Sequence, residues 1–242
     1  MLLSIQKRCL SMNKKSICII PARGGSKRIP RKNVKEFCGK PVITYSIEAA
    51  LESDLFDEVM VSTDDEEIAE LARSCGASVP FMRSSETSDD YATATDVLNE
   101  ALEHYANCGS EPEWLCCLYA TAPFVTSDKL RAAYRLFDPL GDECLCAIAE
   151  FGFPPLRAFC REDDKLVYRF PQYAKVRSQD LEPLYQDAGQ FYYYGKGAIS
   201  GASVHPASFV GYEIPQVEVQ DIDSMSDWEV AELKYRYMLD RL

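Results

Sequence analysis

The sequence predicts an α/β fold in which helices cover both faces of a mostly parallel β-sheet. Through the N-terminal half, short apolar runs typical of strands alternate with apolar residues at helical spacing. Strands joined by helices pair in parallel, with right-handed crossovers. The chain has 242 residues, 47% of them hydrophobic and 26% charged, so it can bury a core without disulfides or structural metals. We therefore expect one large domain whose ligands bind at the carboxyl ends of the strands.

Local patterns predict the elements of this half one by one. Residues 16–22 form a nearly continuous apolar run, which indicates a strand buried on both faces. In the helix that follows, Pro41 suits the first turn, and one face carries Ile43, Ile47, Ala50 and Leu51. The other predicted elements are strands at 58–62, 78–81, 114–119 and 144–149 and helices at 66–74, 96–105 and about 129–137.

The second half is less regular at first. Residues 151–185 mix prolines, polar stretches and short aromatic runs, which predicts hairpins and loops that cover a site or make a subunit contact. We place this inserted segment at about 151–188, within a single domain at 16–242. Strands at 190–194 and 210–214 follow. A final helix has an apolar stripe of Trp228, Ala231, Tyr235, Met238 and Leu242.

Residues 1–15 are expected to be a disordered extension, because Met12 begins a segment that would itself make a normal start. The first eleven residues lack the long apolar core of a secretory signal. No apolar run approaches the roughly 20 residues of a membrane span. The ten cysteines include no C-x-x-C pair, and several lie in strand-like runs. Buried free thiols in a reducing compartment account for them, so we expect a cytoplasmic protein with no membrane partner.

The charge is unevenly distributed. The formal net charge is −12, but residues 14–40 carry nine Lys or Arg against one acid, which leaves −20 for the rest of the chain. A basic island in an acidic protein suits a small polyanion that binds locally, whereas most of the surface would repel an extended nucleic acid. We therefore expect no nucleic-acid partner.

The basic island includes PARGGSKRIPRKN, residues 21–33, directly after the first predicted strand. Gly24 and Gly25 let the backbone turn sharply and bring N–H groups against an anion. Arg23, Lys27 and Lys32 offer charge-assisted hydrogen bonds to phosphate oxygens. The stretch matches neither G-x-x-x-x-G-K-[ST] nor G-x-G-x-x-G. It therefore predicts a phosphate-binding loop of another type.

An acidic pair, Asp221-Ile222-Asp223, is the second chemical feature. On an extended backbone, residues i and i+2 face the same way, roughly 6.5 to 7 Å apart at Cα, so two carboxylates can share one cation. Mg²⁺ takes one or two protein carboxylates and keeps other positions for water and substrate phosphate. Another acidic pair, Asp64-Asp65, lies before the helix at 66–74, where Asp65 suits the helix start; we leave Asp64 outside the predicted site.

Four stretches carry a resemblance to a known family. IIPARGGSKRIPRKN resembles the nucleotide-binding signature of the cytidylyltransferases that activate acidic keto-sugars such as N-acylneuraminate and 3-deoxy-manno-octulosonate. The similarity continues through FCGKPVITYSIEAAL, VMVSTDDEEIAELA and QDIDSMSDW, so it covers nearly the whole chain from Ile17. VPFMRSSETSDDYATATDVL and YQDAGQFYYYGKGAI resemble the branch that acts on pseudaminic acid. The resemblance implies a Rossmann-like domain with a smaller dimerisation segment, and hence a homodimer.

The resemblance also implies an activity and a set of site residues. CTP would activate a nine-carbon 2-keto sugar acid, with Mg²⁺ as cofactor, to give CMP-pseudaminic acid and pyrophosphate. The implied catalytic residues are Arg23, Lys27, Asp221 and Asp223, the two acids also being the metal ligands. The implied nucleotide-binding residues are Ala22, Arg23, Gly24, Gly25, Ser26, Lys27, Lys32, Asn33, Arg83 and Thr93. Residues 93–95 are Thr-Ala-Thr, and the sequence does not determine which of the two threonine hydroxyls contacts the nucleotide.

We expect the sugar-binding site to include residues 185–194, which combine amide, carboxylate and aromatic groups suited to an acetamido sugar. Phe191 and Tyr193 are expected to pack on the core. The expected sugar-binding residues of this stretch are Gln186, Asp187 and Gln190. Where the sialate branch has LQPTSPLR, this chain has LYATAPFV, so Tyr119 replaces the sugar-contacting Gln and Val125 the Arg. Tyr119 joins the sugar site, and N-acetylneuraminate is disfavoured as the substrate.

Several alternatives remain at this stage. The keto-sugar acid could be N-acetylneuraminate or legionaminate, or the substrate a hexose-1-phosphate. The chain could also be a catalytically inactive nucleotide-binding regulator. An RNA-binding module is disfavoured, because the residues outside 14–40 carry a net charge of −20 and would repel RNA. The proton acceptor of the reaction could be Asp223, Asp187 or a metal-bound water.

Overall fold

The computed structural model describes residues 15–200 and 203–240. The predicted extension at residues 1–15 lies outside the described residues except for Lys15. The strands are β1 (Ser16–Pro21), β2 (Glu36–Phe37), β3 (Lys40–Pro41), β4 (Glu58–Ser62), β5 (Trp114–Leu118), β6 (Glu143–Glu150), β7 (Phe159–Glu162), β8 (Lys165–Tyr168), β9 (Tyr185–Tyr194), β10 (Ile199–Ser200), β11 (Ser203–Val204) and β12 (Ser208–Glu213). The α-helices are α1 (Val42–Ser53), α2 (Glu66–Ser74), α3 (Ala94–Asn107), α4 (Ser127–Tyr134) and α5 (Met225–Leu239).

Six strands form the main sheet, in the order β12-β6-β9-β5-β1-β4. The pairs β1–β4, β1–β5 and β12–β6 are parallel, whereas β9 runs antiparallel to both β5 and β6. The prediction of a mostly parallel sheet is confirmed, with β9 as the exception. The segment from β6 to β9 contains no α-helix, and an antiparallel neighbour needs no helical crossover.

Helices cover both faces of the sheet, as predicted. Along β1, Cys18 and Ile20 point into a core on one face, where α1, α2 and α4 pack, while Ile17 and Ile19 point into a core under α3. Strand β5 alternates in the same way. This two-sided burial explains why both strands have continuous apolar sequences rather than alternating ones.

A third apolar cluster brings the acidic pair to the basic loop. Ile29 of the loop and Ile222, between the two acids, are both about 1% exposed and pack in one cluster with Phe37 and Trp228. The rings of Phe37 and Trp228 meet edge to face, with centroids 5.5 Å apart. Burial of these side chains therefore fixes a segment from residue 222 against one near residue 29. The stripe predicted for the last helix is confirmed at Trp228, Ala231 and Met238; Leu242 lies outside the described residues.

Two predicted strands differ from the structure. Residues 78–81 do not form a strand, because only Ser78 pairs, in an isolated bridge to Met60, and Pro80 has no N–H to extend the pairing. Strand β9 begins at Tyr185 rather than at residue 190. Its register against β6 shifts, and Gly189, at φ +61°, takes the left-handed conformation that glycine tolerates.

The segment between β6 and β9 contains the hairpin predicted there. Strands β7 and β8 pair antiparallel, and the rings of Phe159 and Tyr168 lie 4.4 Å apart between centroids. Apolar side chains on this segment are exposed, with Phe153 at 91% and Leu166 at 64%. The segment therefore presents an apolar surface beside the main sheet.

Nine cysteines lie among the described residues, and all nine are free thiols. Burial raises the pKa of the Cys116 and Cys117 thiols, so both stay protonated. In the same part of the chain, we find no helix with the length and apolar character needed to cross a membrane.

Candidate active site

Two adjoining cavities lie along the edge of the sheet where β1, β4 and β5 end. The first has a volume of about 320 Å³ and is lined by Arg23, Ser26, Lys27, Arg28, Lys32, Asn33, Asp90 and Asp223. The second has a volume of about 270 Å³ and is lined by residues that include Arg23, Lys32, Asn33, Arg83, Thr93 and Tyr119. Because Arg23, Lys32 and Asn33 border both, one ligand can extend through the two cavities.

The glycine-rich loop is folded back onto the end of β4. The Gly24 N–H donates to Asp64 Oδ1 at 2.8 Å, so Asp64 is part of the loop's support. A Cβ at Gly24 would lie 2.6 Å from Asp65 Oδ2, closer than real Cβ contacts allow. Asn33 Nδ2 donates to the Arg23 carbonyl at 2.9 Å and closes the loop from the other side. Glycine at 24 is therefore required by the close approach of Asp65.

Asp65 has two structural partners. It caps α2 by accepting the Ile68 N–H at 3.1 Å, as expected from its place at the helix start. It also pairs with Arg31, whose hydrogen bond holds the pKa of Asp65 below its usual range. Arg31 adopts φ +55° and also pairs with Glu67. These ion pairs hold the end of the basic loop to the start of α2.

Each cation of the first cavity faces an acceptor. Arg23 Nη1 lies 3.1 Å from Asp90 Oδ1 and donates to the Asp89 carbonyl at 2.7 Å. Lys27 forms an ion pair with Asp90. Arg28 Nη2 donates to Asp223 Oδ1 at 2.8 Å. The cavity therefore combines a high density of positive charge with two carboxylates that partly neutralise it.

Lys32 is the most buried cation of this group. Its Nζ donates to the Ile222 carbonyl at 2.8 Å. Burial lowers the pKa of Lys32, and the negative charges of Asp223 and Asp221 oppose that shift. Both acids are thus close enough to act on Lys32. The lysine connects the basic loop to the segment that carries the acidic pair.

The acidic pair has the donor set that a hard divalent cation needs. Asp221 is exposed and Asp223 half-buried, with one Asp223 oxygen bonded to Arg28. Within residues 15–200 and 203–240, no group of three or more His, Cys, Asp or Glu side chains is arranged to hold a metal. Mg²⁺ needs only one or two protein carboxylates when substrate phosphates complete its shell. The two aspartates beside a phosphate-type loop fit that chemistry.

Three of the remaining predicted nucleotide residues, Ala22, Arg83 and Thr93, have structural partners. Arg83 is buried, donates from Nε to Ser62 Oγ at 3.1 Å and bonds the Ser62 carbonyl, and burial lowers its pKa. Thr93 caps α3 in a reciprocal capping box with Asp96. The Ala22 N–H donates to the Ser62 carbonyl at 2.9 Å. A Cβ at Gly25 would meet no described atom within 4 Å, so its surroundings are open.

A second group of predicted residues surrounds Tyr119. The Tyr119 N–H donates to the Gln190 carbonyl at 2.9 Å, and its ring lies 5.6 Å from that of Tyr192. Burial, first of all, raises the pKa of Tyr119 to about 12, and the charges of Asp187 and Asp221 also raise it. Tyr119 therefore lies near enough to both Asp221 and Asp187 for their charges to act on it.

Tyr192 and Asp187 form a close pair. The Tyr192 hydroxyl lies 2.8 Å from each carboxylate oxygen of Asp187, which also accepts the Gly189 N–H at 2.8 Å. Gln190 differs from the expectation of a sugar-facing side chain, because it is only 3% exposed and donates from Nε2 to the Glu218 carbonyl at 2.6 Å. Gln186 is half-buried in β9. Asp221, Gln186, Asp187 and Gln190 line neither of the two cavities.

Sequence reasoning missed Asp90, Arg28, Tyr192 and the supporting role of Asp64. Asp90 pairs with cations more than 60 residues earlier in the chain, and Arg28 pairs with an acid 195 residues later. No local pattern reports such partners. The adjacent acids Asp89 and Asp90, in a stretch otherwise rich in Ser and Thr, were the available signal for the first pair.

Comparisons with known proteins bear on this geometry. A family described as cytidylyltransferase matches residues 17–141. The chain is 45% identical over 224 residues to the pseudaminic acid cytidylyltransferase of Campylobacter jejuni, covering 92% of this chain and 97% of that protein. It is 30% identical to the CMP-N,N'-diacetyllegionaminic acid synthase of Legionella pneumophila, covering 89% and 94%. A solved CMP:2-keto-3-deoxy-manno-octonic acid synthetase complexed with CTP shares the fold, with a TM-score of 0.64, 19% identity and coverage of 94% and 100%.

Proposed function

The chain belongs to the cytidylyltransferase family, and on that premise we propose that it uses CTP to activate pseudaminic acid. The anomeric hydroxyl of this nine-carbon 2-keto sugar acid loses its proton as its oxygen attacks the α-phosphorus of CTP and the bond to the bridging oxygen breaks, so the products are CMP-pseudaminic acid, pyrophosphate and a proton. The observation that carries the proposal is the cavity in which Arg23, Lys27 and Lys32 meet Asp223. The sugar is proposed because two relatives, at 45% and 44% identity, are pseudaminic acid cytidylyltransferases.

We assign the triphosphate to the first cavity and the cytidine to the second. Arg23, Lys32 and Asn33 border both cavities, so they would lie beside the α-phosphate where the two parts of CTP join. The open surroundings of Gly25 leave room for phosphate against the backbone. The proposed nucleotide-binding residues are Ala22, Arg23, Gly24, Gly25, Ser26, Lys27, Lys32, Asn33, Arg83 and Thr93.

Asp221 and Asp223 are the proposed ligands of Mg²⁺. When bound, Mg²⁺ supplies positive charge that polarises the α-phosphate. Lys32, hydrogen-bonded to the carbonyl between the two acids, holds their segment beside the phosphate loop. Asp223 would exchange its bond to Arg28 for the cation, which frees that guanidinium to bind phosphate.

The chemistry of the step is mainly positioning and charge neutralisation. Phosphoryl-type transfer leaves little covalent work to the protein. As the bond from the α-phosphorus to the bridging oxygen breaks, negative charge gathers on pyrophosphate, and Arg23, Lys27 and Lys32 stabilise it there. Fixed charges in the site do this without reorganisation at the moment of reaction.

The sugar acid is proposed to bind from Tyr119 toward the start of β9. The charges of both Asp221 and Asp187 raise the pKa of Tyr119, so Tyr119 is near both acids. We therefore propose that a sugar whose anomeric oxygen approaches the acidic pair extends across Tyr119 toward Asp187. An ionised carboxylate accepts hydrogen bonds from amide N–H and hydroxyl groups. The proposed sugar-binding residues are Tyr119, Gln186 and Asp187, whereas buried Gln190 supports β9 through its hydrogen bond to the Glu218 carbonyl.

We expect Tyr192→Phe to raise the KM for the sugar acid about ten-fold, the value of one hydrogen bond to a charged group, with little change in the KM for CTP. The variant loses the hydroxyl that orients both oxygens of Asp187. Steady-state kinetics with each substrate varied in turn tests this. Tyr194→Phe, two residues along the same strand, is the matched control. Equal sugar KM values in the three proteins would contradict the role of Tyr192.

The lowered pKa of Lys32 predicts that kcat/KM for CTP depends on pH. Because burial lowers its pKa, the free enzyme loses this positive charge at a lower pH than an exposed lysine would. We therefore expect kcat/KM for CTP to be full below that pKa and to fall as pH rises through it. Lys32→Arg, which keeps its charge, is expected to move the fall to higher pH. A pH profile that is unchanged in the variant would exclude Lys32 as its origin.

Pyrophosphate release tests the proposed function as a whole. The assay contains protein, Mg²⁺ and CTP with pseudaminic acid, beside parallel reactions with N-acetylneuraminate and legionaminate. We expect rapid release with pseudaminic acid and slow release with the others. Release with another sugar alone would change the substrate, and CTP binding without any release would identify a regulator instead of an enzyme.

We further propose a cytoplasmic homodimer that associates through the inserted segment at about 151–188. Exposed Phe153, Phe159 and Leu166 give this segment an apolar surface, and such a surface is typical of protein interfaces. The free cysteines suit a reducing compartment. Sedimentation of the protein, with and without Phe153→Ser, tests the association.

A further inference from the structure

Asp90 is the acceptor for Arg23 and Lys27, two of the cations that line the phosphate cavity. Its Oδ1 lies 3.1 Å from Arg23 Nη1, and its Oδ2 pairs with Lys27 Nζ. Asp90 itself lines the first cavity together with both cations. It reaches them from residues 84–93, a segment that lies between Arg83 and α3.

A carboxylate at this place takes the hydrogen bonds that a phosphate would take. Both groups present anionic oxygens to Arg and Lys in charge-assisted bonds of the same type. The hydrogen bond from Lys27, first of all, lowers the pKa of Asp90, so the carboxylate is ionised at neutral pH. Asp90 and the triphosphate therefore compete for Arg23 and Lys27.

The ion pairs of Asp90 are weak enough for a bound triphosphate to displace the carboxylate. The Lys27 side chain is 76% exposed and that of Asp90 41%, and exposed ion pairs are weak. Besides the bond from Arg23 to the Asp89 carbonyl, other contacts hold the segment: Arg83 Nη1 donates to the Thr87 carbonyl at 3.4 Å, and Asp89 Oδ1 accepts the Tyr91 N–H at 2.8 Å. Asp90 can thus leave the cations without unfolding its segment.

We propose that Asp90 is a built-in counter-ion of the triphosphate site, which pairs with Arg23 and Lys27 in the free enzyme, yields them to CTP and takes them back as pyrophosphate leaves. The proposal rests on the proposed function, since it takes CTP as the ligand of this cavity. A competitor inside the site reduces the apparent affinity for any ligand that needs the same cations. Asp90 would therefore weaken CTP binding and speed the release of pyrophosphate.

The test is Asp90→Asn, which keeps the shape of the side chain and removes its charge. We measure the dissociation constants of CTP and of inorganic pyrophosphate by calorimetry without Mg²⁺. Both are expected to fall roughly three- to ten-fold, because the ligand no longer has to break two exposed ion pairs. The pyrophosphate inhibition constant in the turnover assay should fall in parallel. Asp89→Asn is the matched control, because it removes one neighbouring charge yet keeps an oxygen to accept the Tyr91 N–H. We expect it to change binding less than two-fold.

Lys27→Ala supplies a second variant. In that background the gain from Asp90→Asn should shrink, because one of the two competing ion pairs is already absent. Equal or weaker binding of pyrophosphate by Asp90→Asn, or the same gain in Asp89→Asn, would overturn the proposal. The outcome is separable from the proposed function: wild-type turnover with unchanged Asp90→Asn binding refutes the counter-ion alone, whereas pyrophosphate binding with no affinity for CTP refutes the assigned nucleotide.

Discussion

Replacing Asp221 by Asn is expected to lower kcat by on the order of 100-fold or more while the fold stays intact. Asp221 is exposed, so its substitution leaves no cavity and no buried unpaired group. Its negative charge acts on both Lys32 and Tyr119, so the carboxylate lies near one residue of the proposed phosphate site and one residue of the proposed sugar site. Asparagine keeps the shape but is a much weaker ligand for a hard cation.

The Mg²⁺ dependence distinguishes a metal ligand from a residue of general electrostatic importance. We expect Asp221→Asn to need more Mg²⁺ for half-maximal rate, and its thermal unfolding midpoint to match that of the wild type. Glu229→Gln, an exposed acid on the next helix, is the control and should turn over normally. Wild-type kcat in Asp221→Asn at ordinary Mg²⁺ concentrations would remove Asp221 from the mechanism.

The chemical groups of this site could be predicted from the sequence because they lie in short stretches with strong local signals. The basic loop follows a strand and contains two glycines, and the acidic pair has the i, i+2 spacing that presents two carboxylates together. Their meeting could not be predicted from spacing, because about 190 residues separate Lys32 from the Ile222 carbonyl that it bonds. Burial of Ile29 and Ile222 in one apolar cluster brings the two stretches together.

The errors have different causes. The strand predicted at 78–81 fails at Pro80, where the missing N–H outweighs the apolar pattern. Gln190 was assigned to the sugar by residue type, but its side chain is buried and donates to the Glu218 carbonyl, 28 residues later in the chain. Residue type therefore predicts which chemistry is present, whereas the direction of each side chain depends on register and on distant partners.

Lys27→Ala is expected to lower kcat by on the order of 100-fold or more, with a fall in kcat/KM for CTP. In other enzymes, the loss of one hydrogen-bond donor to a developing negative charge costs roughly 3 to 4 kcal/mol. Stability should be unaffected, because Lys27 is largely exposed and its pair with Asp90 lies at the surface. Single-turnover measurement of pyrophosphate release tests the chemical step directly.

Lys35→Ala is the matched control, since Lys35 belongs to the same basic stretch but lies over the Trp228 ring, 5.6 Å from its centroid, and lines neither cavity. If both lysines acted only through the net charge of the basic island, the two variants would lose activity to the same small extent, and the loss would vanish at high salt. A loss confined to Lys27→Ala and retained at high salt requires a direct bond between this lysine and the reacting phosphates. Equal losses would instead mean that Lys27 only attracts CTP through long-range electrostatics, and that Arg23 and Lys32 alone stabilise the transition state.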